Sequence, residues 1–250
     1  MNAILRMSSW GNHTGGSRSM AGAGSVCKLA AQKMIEQAKP FAAEELELEP
    51  SQVDYGDGAF RARDGEKMIS FEQLATKLAG RHPHPMNTLA EATVGSTWPN
   101  GCHIAEVEID PDTGVTEIAS YVAVDDSGTV INHQIVEGQV HGGVAQGAGQ
   151  IFGEQVIYDR ASGQLLTGSF MDYYMPRAGL LRDIRVGDHP LPSSLNALGA
   201  KGVGESGCTA SLPALANAMT DALRPAGVGH LDMPYTPSKV WHAIQSAKVT

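Results

Sequence analysis

The stretch Gly-Cys-His-Ile-Ala-Glu-Val-Glu-Ile-Asp-Pro-Asp-Thr-Gly at 101–114, followed by Val-Thr-Glu-Ile-Ala-Ser-Tyr-Val-Ala-Val at 115–124, decides the fold class. From Cys102 onward apolar residues alternate with other residues, as they do on a strand with one buried face. The segment Asp110–Gly114 is typical of a turn, because Pro presets its own backbone angle and Gly tolerates a left-handed one. The sequence therefore predicts a β-hairpin from Cys102 to Val124.

Helical periodicity appears on both sides of this hairpin. Pro40 is expected to end the first helix, because proline lacks a backbone N–H. The helix after the hairpin contains several glycines, which cost about 1 kcal/mol each relative to alanine, so a close approach of another backbone or of a ligand is expected there. Helices are predicted over 21–39, 135–151 and 212–223, a further one starts after the capping residue Ser70, and a second hairpin turns at Asp57-Gly58. This order of helices and hairpins predicts an α+β fold.

Composition and charge exclude several classes of protein. The chain has 250 residues, and 18 Lys and Arg against 27 Asp and Glu give a net charge of −9, which argues against nucleic-acid binding. No apolar run approaches the ~20 residues of a membrane span, and the N-terminus lacks a secretory signal, so a soluble cytoplasmic protein is expected. Cys27, Cys102 and Cys208 lack CxxC spacing, and His133 and His141 have no partner at ligand spacing. We therefore predict no disulfide and no metal held by side chains.

The loop Thr14–Ser19 combines hydroxyl groups, two glycines and an arginine ahead of a helix. Free N–H groups at a helix start, hydroxyl donors and a guanidinium suit a phosphate or another oxyanion. A flexible terminus is the alternative interpretation, because the spacing is not that of a Walker loop.

Glu205 lies in a second glycine-rich loop, Ala200–Gly207, which leads into the last predicted helix. A carboxylate in a dry glycine turn is a candidate general base, whereas the alternative is an acid that caps the helix. Gln139, on the glycine-rich helix, offers an amide donor, although lone glutamines are usually surface residues.

Four ordered motifs resemble the molybdopterin-binding large subunit of the xanthine dehydrogenase, aldehyde oxidase and carbon monoxide dehydrogenase-like molybdenum hydroxylases. They are the hairpin segment 101–114 and the segments 137–147, 169–173 and 201–205. The resemblance implies the C-terminal part of the molybdenum cofactor-binding domain, with hairpins packed against Gly-rich helices. It also implies one domain over 1–250, with a subdivision into 1–100 and 101–250, the second part carrying Gln139 and Glu205.

The resemblance also implies roles for individual residues. Glu205 matches the family's catalytic glutamate, which takes up a proton beside the metal, and Gln139 matches a glutamine that contacts the cofactor. In this family the metal is held by the dithiolene of the pterin and not by side chains. The remaining residues that the resemblance places at the cofactor are Thr14, Gly16, Ser17, Ser19, Gly202, Val203 and Gly204.

The implied cofactor is molybdenum-pyranopterin, as molybdopterin or its cytosine dinucleotide form. The family's large chains carry a further N-terminal part of the molybdenum domain, so we expect a separate companion chain to supply it, meeting this chain at the 14–19 and 201–207 loops. Iron–sulfur clusters and FAD are expected on further partner subunits. The expected reaction is oxidation of a small aldehyde, N-heterocycle or similar substrate with water-derived oxygen. The alternative is a truncated, non-catalytic fragment that acts only as a structural or binding partner.

Overall fold

The computed structural model of the chain describes residues 14–248. Its contacts divide into two units. Unit 1 contains Thr14, Ser19–Gly95 and Ser194–Leu198, and unit 2 contains Gly15–Arg18, Ser96–Ser193 and the residues from Gly199 onward. No helix in residues 14–248 is long and apolar enough to cross a membrane.

Unit 1 is built from a long helix, a small antiparallel sheet and a short helix. One π-helical turn, Met20–Gly24, leads into α1, and the strands pair in the order β1-β2-β3. Ser70 caps α2 as predicted, since its hydroxyl accepts the N–H of Gln73 at 3.0 Å. The predicted hairpin is confirmed, because Asp57 and Gly58 both have the left-handed backbone of a tight turn. The elements are α1 Ser25–Leu46, β1 Val53–Gly56, β2 Ala59–Ala62, β3 Met68–Ser70 and α2 Phe71–Lys77.

The prediction that Pro40 ends the first helix is wrong. Helix α1 continues through Pro40 to Leu46, and Glu47 ends it with a left-handed backbone. A proline inside a helix costs about 3 kcal/mol. The residues around it offset this cost by burial, since Ala38, Ala42 and Leu46 pack in the core of unit 1 against Phe60.

Unit 2 contains a three-stranded sheet and three helices. The predicted hairpin is confirmed as β4 and β5, and the sequence did not reveal β6, which pairs parallel to β5. Helix α5 was also missed, although Thr236 caps it and Pro237 is its first residue, a usual start signal. The core lies between the sheet and the helices and includes Tyr121 and Leu215. The elements are β4 Asn100–Ile109, β5 Thr116–Asp126, α3 His133–Phe152, β6 Ile184–Asp188, α4 Ser206–Leu223 and α5 Pro237–Ala247.

Helices α3 and α4 touch through glycines. A Cβ added to Gly143 would lie 2.7 Å from the backbone nitrogen of Cys208, and one added to Gly207 would lie 2.5 Å from the carbonyl oxygen of Val140. One turn further, a Cβ on Gly147 would lie 1.9 Å from the hydroxyl of Ser211. This contact confirms the expected close approach at the glycine-rich helix. It also explains why α4 starts at Ser206 and not at 212, because its first turns pack through small residues that leave no apolar period.

A buried polar cluster joins β4 to β5. His103 contacts the Tyr121 hydroxyl through Nδ1 at 2.8 Å and the Asp125 carboxylate through Nε2 at 3.2 Å. The side chains of His103 and Asp125 are almost fully buried. Burial, and then the charge of Asp125, raise the pKa of Tyr121, so its hydroxyl stays protonated. The cluster satisfies polar groups that would otherwise be costly inside the core.

The segment before α4 is anchored to the end of β5 by a buried ion pair. Lys201 pairs with Asp126, whose carboxylate also accepts the N–H groups of Gly128 and Leu191 at 2.9 Å each. Burial alone would raise the pKa of Asp126, but these hydrogen bonds and the Lys201 charge outweigh it and hold the pKa below its ordinary value. The N–H of Lys201 bonds to the Ser127 carbonyl at 2.9 Å. The position of the loop that follows Lys201 is therefore fixed.

Replacing Gly143 by alanine is expected to destabilise the chain by about 1–3 kcal/mol, because the new methyl group would meet the backbone of α4. Gly142→Ala is the matched control, since Gly142 is its neighbour on the same helix and has open space around it. The control is expected to stabilise the chain by up to about 1 kcal/mol through helix propensity. Urea unfolding followed by circular dichroism measures both, and equal effects would contradict the close packing of α3 on α4.

Replacing Asp126 by Asn is expected to cost about 3 kcal/mol at pH 7, because it leaves the Lys201 ammonium without its buried partner. The folded-state pKa of Asp126 is depressed, so its contribution is present at neutral pH and is lost as the pH falls below 3.8. The difference between wild type and variant therefore shrinks at acid pH. Urea unfolding from pH 7 to pH 3 measures this difference in the free energy of unfolding.

Asp221→Asn, which removes an exposed pair with Arg224, is the control and is expected to cost under about 0.5 kcal/mol. Similar losses in both variants would refute the anchoring role of Asp126.

Candidate functional site

Ser17 packs against the loop that precedes α4. A Cβ added to Gly202 would lie 2.6 Å from the carbonyl oxygen of Ser17, and one added to Gly204 would lie 2.6 Å from the Ser17 hydroxyl. Gly16 and Ser17 have left-handed backbones with φ of 60° and 51°, which is unusual for a serine. The Ser17 backbone can approach Gly202 this closely only because Gly202 lacks a side chain, whereas at Gly204 the neighbouring atom is the movable Ser17 hydroxyl.

Gln139 approaches the same point from α3. Its Oε1 atom would lie 3.1 Å from a Cβ added to Gly204. Gln139 lies one helical turn before Gly143, so the contact between α3 and α4 sets its distance from the loop. The structure thus brings Ser17, Gln139 and Gly204 together, three residues that are far apart in the sequence.

Glu205 follows Gly204 directly and is the residue before the first turn of α4. Its backbone carbonyl accepts the N–H of Thr209 at 3.0 Å, but its carboxylate makes no capping hydrogen bond. The side chain is exposed, so the expectation of a dry glycine turn is wrong for this chain. Burial raises the pKa of the Cys208 thiol, and the negative charge of Glu205 raises it further. The geometry does not support the capping interpretation and leaves the carboxylate available for a ligand.

Two buried hydroxyl groups near this loop have no hydrogen-bond partner among residues 14–248. They belong to Ser206, next to Glu205, and to Ser127, whose carbonyl holds Lys201. Buried polar groups are nearly always satisfied, so an orphaned hydroxyl beside a loop indicates a missing partner. No sequence pattern points to these two serines, since isolated serines are common. The Lys201–Asp126 pair was also missed, because these two residues are far apart in the sequence and meet only in the folded chain.

The other predicted site residues have different surroundings. Thr14 and Ser19 belong to unit 1 and lie 3.1 Å apart, hydroxyl to hydroxyl. Val203 packs at the edge of the unit 2 core, and its carbonyl accepts the N–H of Ser206 at 3.2 Å. Gly16 has open space where a Cβ would lie.

The histidines that were weighed as metal ligands do not form a cluster. His133 is exposed, with Nδ1 3.8 Å from Asp188, and His141 is half-buried on α3. Within the described residues, no three His, Cys, Asp or Glu side chains are close enough to hold a metal ion. The donors around Gly204 are amide, hydroxyl and backbone groups, which suit an organic ligand and its anionic groups rather than a bare cation.

Comparison with known proteins finds relatives along nearly the whole chain. The family model of the molybdopterin cofactor-binding domain matches residues 5–181. The chain is 35% identical over 242 residues to the carbon monoxide dehydrogenase large chain of Hydrogenophaga pseudoflava, which covers 94% of this chain and 30% of the relative. It is 36% identical over 243 residues to the nicotine 6-hydroxylase large subunit of Paenarthrobacter nicotinovorans, with the same two coverages. The chain thus spans about 30% of the length of these relatives.

Solved structures give the same result for the fold. Reconstituted CO dehydrogenase from Oligotropha carboxidovorans matches with a TM-score of 0.83 and 32% identity, over 94% of this chain and 30% of that one. Quinoline 2-oxidoreductase from Pseudomonas putida 86 matches with a TM-score of 0.78 and 33% identity, over 92% of this chain and 30% of that one. The predicted α+β fold of the molybdenum cofactor-binding domain is therefore confirmed. The chain belongs to the molybdopterin cofactor-binding family of molybdenum oxidoreductase large chains.

Proposed function

We propose that the chain forms one wall of a molybdenum-pyranopterin site in a molybdenum hydroxylase. The observation that carries this proposal is the convergence of the Ser17 hydroxyl and the Gln139 amide on Gly204, with the unpaired Glu205 carboxylate as the next residue. These groups come from three separate parts of the chain, and the exposed carboxylate makes no capping hydrogen bond with α4. Family membership supports a molybdopterin cofactor, and we propose molybdopterin itself or its cytosine dinucleotide form.

The residues present fit such a group. A pyranopterin with its phosphate has ring nitrogens, carbonyl groups and phosphate oxygens that accept hydrogen bonds, and Ser17, Gln139 and the orphaned Ser206 hydroxyl can donate them. When bound, the cofactor supplies two-electron redox chemistry. Gly202 and Gly204 provide the space in which the Ser17 turn packs, and for Val203 a role toward the cofactor stays a prediction from the resemblance. For Thr14, Gly16 and Ser19, a role toward the cofactor stays a prediction from the resemblance.

Glu205 is proposed as the general base. A positioned carboxylate takes up a proton during the reaction and contributes about a hundred- to ten-thousand-fold to the rate. In this chain Glu205 is exposed, whereas a base works best where water is excluded. We therefore propose that a separate chain, carrying the rest of a molybdenum domain, covers this face and completes the site, with iron–sulfur and flavin subunits in the same cytoplasmic assembly.

The substrate class is proposed from the family resemblance and not from this chain's own residues. One relative is named for carbon monoxide and another for hydroxylation of nicotine, so the same fold serves very different substrates. We propose a small aldehyde, N-heterocycle or similar molecule, oxidised with water-derived oxygen. The competing proposal, a non-catalytic fragment, is favoured by the exposure of Glu205 and makes the opposite prediction for the experiment below.

Replacing Glu205 by Gln in the purified assembly is expected to lower kcat at least about a hundredfold, because glutamine has the same shape but cannot accept the proton. Molybdenum content is expected to stay unchanged, since the amide preserves the hydrogen-bonding shape. Substrate oxidation and metal analysis measure the two quantities. Glu117→Gln, at an exposed position on β5, is the control. Full activity of the Glu205 variant would contradict the assignment of the base, and an assembly inactive in every form would favour the non-catalytic fragment.

Replacing Gly204 by Ala is expected to lower cofactor retention while leaving the free energy of unfolding nearly unchanged. The new methyl group would meet only the movable ends of Ser17 and Gln139, which would turn away from the ligand. Gly229→Ala is the matched control, because nothing lies within 4 Å of a Cβ added there. Pterin fluorescence after release and urea unfolding distinguish the two effects. Undiminished pterin in the Gly204 variant would show that Ser17 and Gln139 do not hold the cofactor.

A further inference from the structure

An extended apolar surface lies on one segment of unit 2, outside the site just described. The segment 154–176, here called the apolar loop, joins the end of α3 to the part of the chain that leads to β6. Phe170 and Met171 are 87% and 92% exposed, which is extreme for large apolar side chains. The other exposed apolar side chains of the loop are Val156, Ile157, Tyr158, Leu165, Leu166, Tyr174 and Met175.

The base of the apolar loop is clamped to the end of α3. A Cβ added to Gly153 would lie 2.4 Å from the ring of Tyr174, and one added to Gly149 would lie 2.9 Å from the ring of Pro176. The Tyr173 hydroxyl donates to the carboxylate of Glu154 at 3.0 Å. Both ends of the loop are therefore held in place by close packing and a hydrogen bond.

Hydrogen bonds also order the loop internally. The N–H of Leu166 bonds to the carbonyl of Ile157 at 2.8 Å, and the Asp159 backbone pairs with Gln164 at 2.8 Å. At the tip, the Ser169 hydroxyl donates to Asp172 at 2.6 Å across a turn whose central residues are Phe170 and Met171. These hydrogen bonds order the tip of the loop, where the side chains of Phe170 and Met171 remain exposed.

We propose that the apolar loop is the docking surface for a second polypeptide of the molybdopterin cofactor-binding family, one that carries the large-chain part that this chain does not match. This inference rests on the proposed function, in which a separate chain completes the site. Residues 161–171 contain no charged side chain, and the loop is rich in Phe, Met and Tyr, the residue types enriched at the centres of protein interfaces. The matched large chains are more than three times as long as the region they share with this chain, so about 70% of their length is available to supply the opposing surface.

Photo-crosslinking in the native host tests the proposal without perturbing the fold. A photoreactive amino acid is placed at Phe170, and in a second strain at Met68, an exposed position on β3 of unit 1, as the control. Mass spectrometry of the adducts is expected to identify, at position 170 only, peptides of a second polypeptide that matches the molybdopterin cofactor-binding family. Adducts with a second copy of this chain, adducts only with unrelated proteins, or no adduct at all would each overturn the proposal.

Substitution of the tip tests the same surface by affinity. The double change Phe170→Ser and Met171→Ser is expected to weaken binding of the companion polypeptide identified by crosslinking by about thirtyfold or more, because apolar anchors at an interface carry much of its affinity. Met68→Ser is expected to leave the affinity unchanged, and circular dichroism checks that both variants are folded. Unchanged affinity of the double variant would overturn the docking surface. If the wild-type assembly forms through this loop and holds no molybdenum, the proposed function fails while the docking surface stands.

Discussion

The contact of α3 with α4 through glycine is the constraint on which the candidate site depends. Gly143 and Gly207 allow the two helix backbones to approach closer than any side chain would permit. Gln139 lies one turn before the first of these glycines, and Glu205 lies two residues before the second. The spacing between the amide and the carboxylate is therefore set by the close packing of α3 on α4. Each of these glycines costs about 1 kcal/mol of helix stability relative to alanine.

Electrostatics fixes the second element of the site, the loop before α4. The Lys201–Asp126 pair is buried, and breaking such a pair costs several kcal/mol, although forming it adds little to the net stability. The pair therefore determines where the loop lies. If Lys201 lay elsewhere, the Asp126 carboxylate would be charged and unpaired in the protein interior. The N–H groups of Gly128 and Leu191 add two further bonds to the same carboxylate. Together they hold the residues that precede Gly202 and Glu205.

Most of the fold and part of the candidate site could be predicted from local sequence patterns. The two hairpins and the Ser70 cap depend on residues next to each other in the chain, and these predictions were confirmed. Helix α1 extends past Pro40 because burial of Ala42 and Leu46 outweighs a local penalty, and such burial cannot be seen before the chain is folded. The start of α4 was misplaced because its first turns use small residues that leave no apolar period. The meeting of Ser17, Gln139 and Gly204 was expected only through resemblance to a family, whereas the Asp126 anchor and the orphaned Ser206 hydroxyl carry no signal in the sequence.

We propose that this chain supplies one wall of a molybdenum cofactor site that a second chain completes. Measuring molybdenum and released pterin per chain, on the chain purified alone and on the chain purified after co-expression with its companion, tests this claim most directly. We expect near-stoichiometric metal and pterin in the co-expressed sample and little of either in the chain alone. Absence of both from the co-expressed assembly would contradict it.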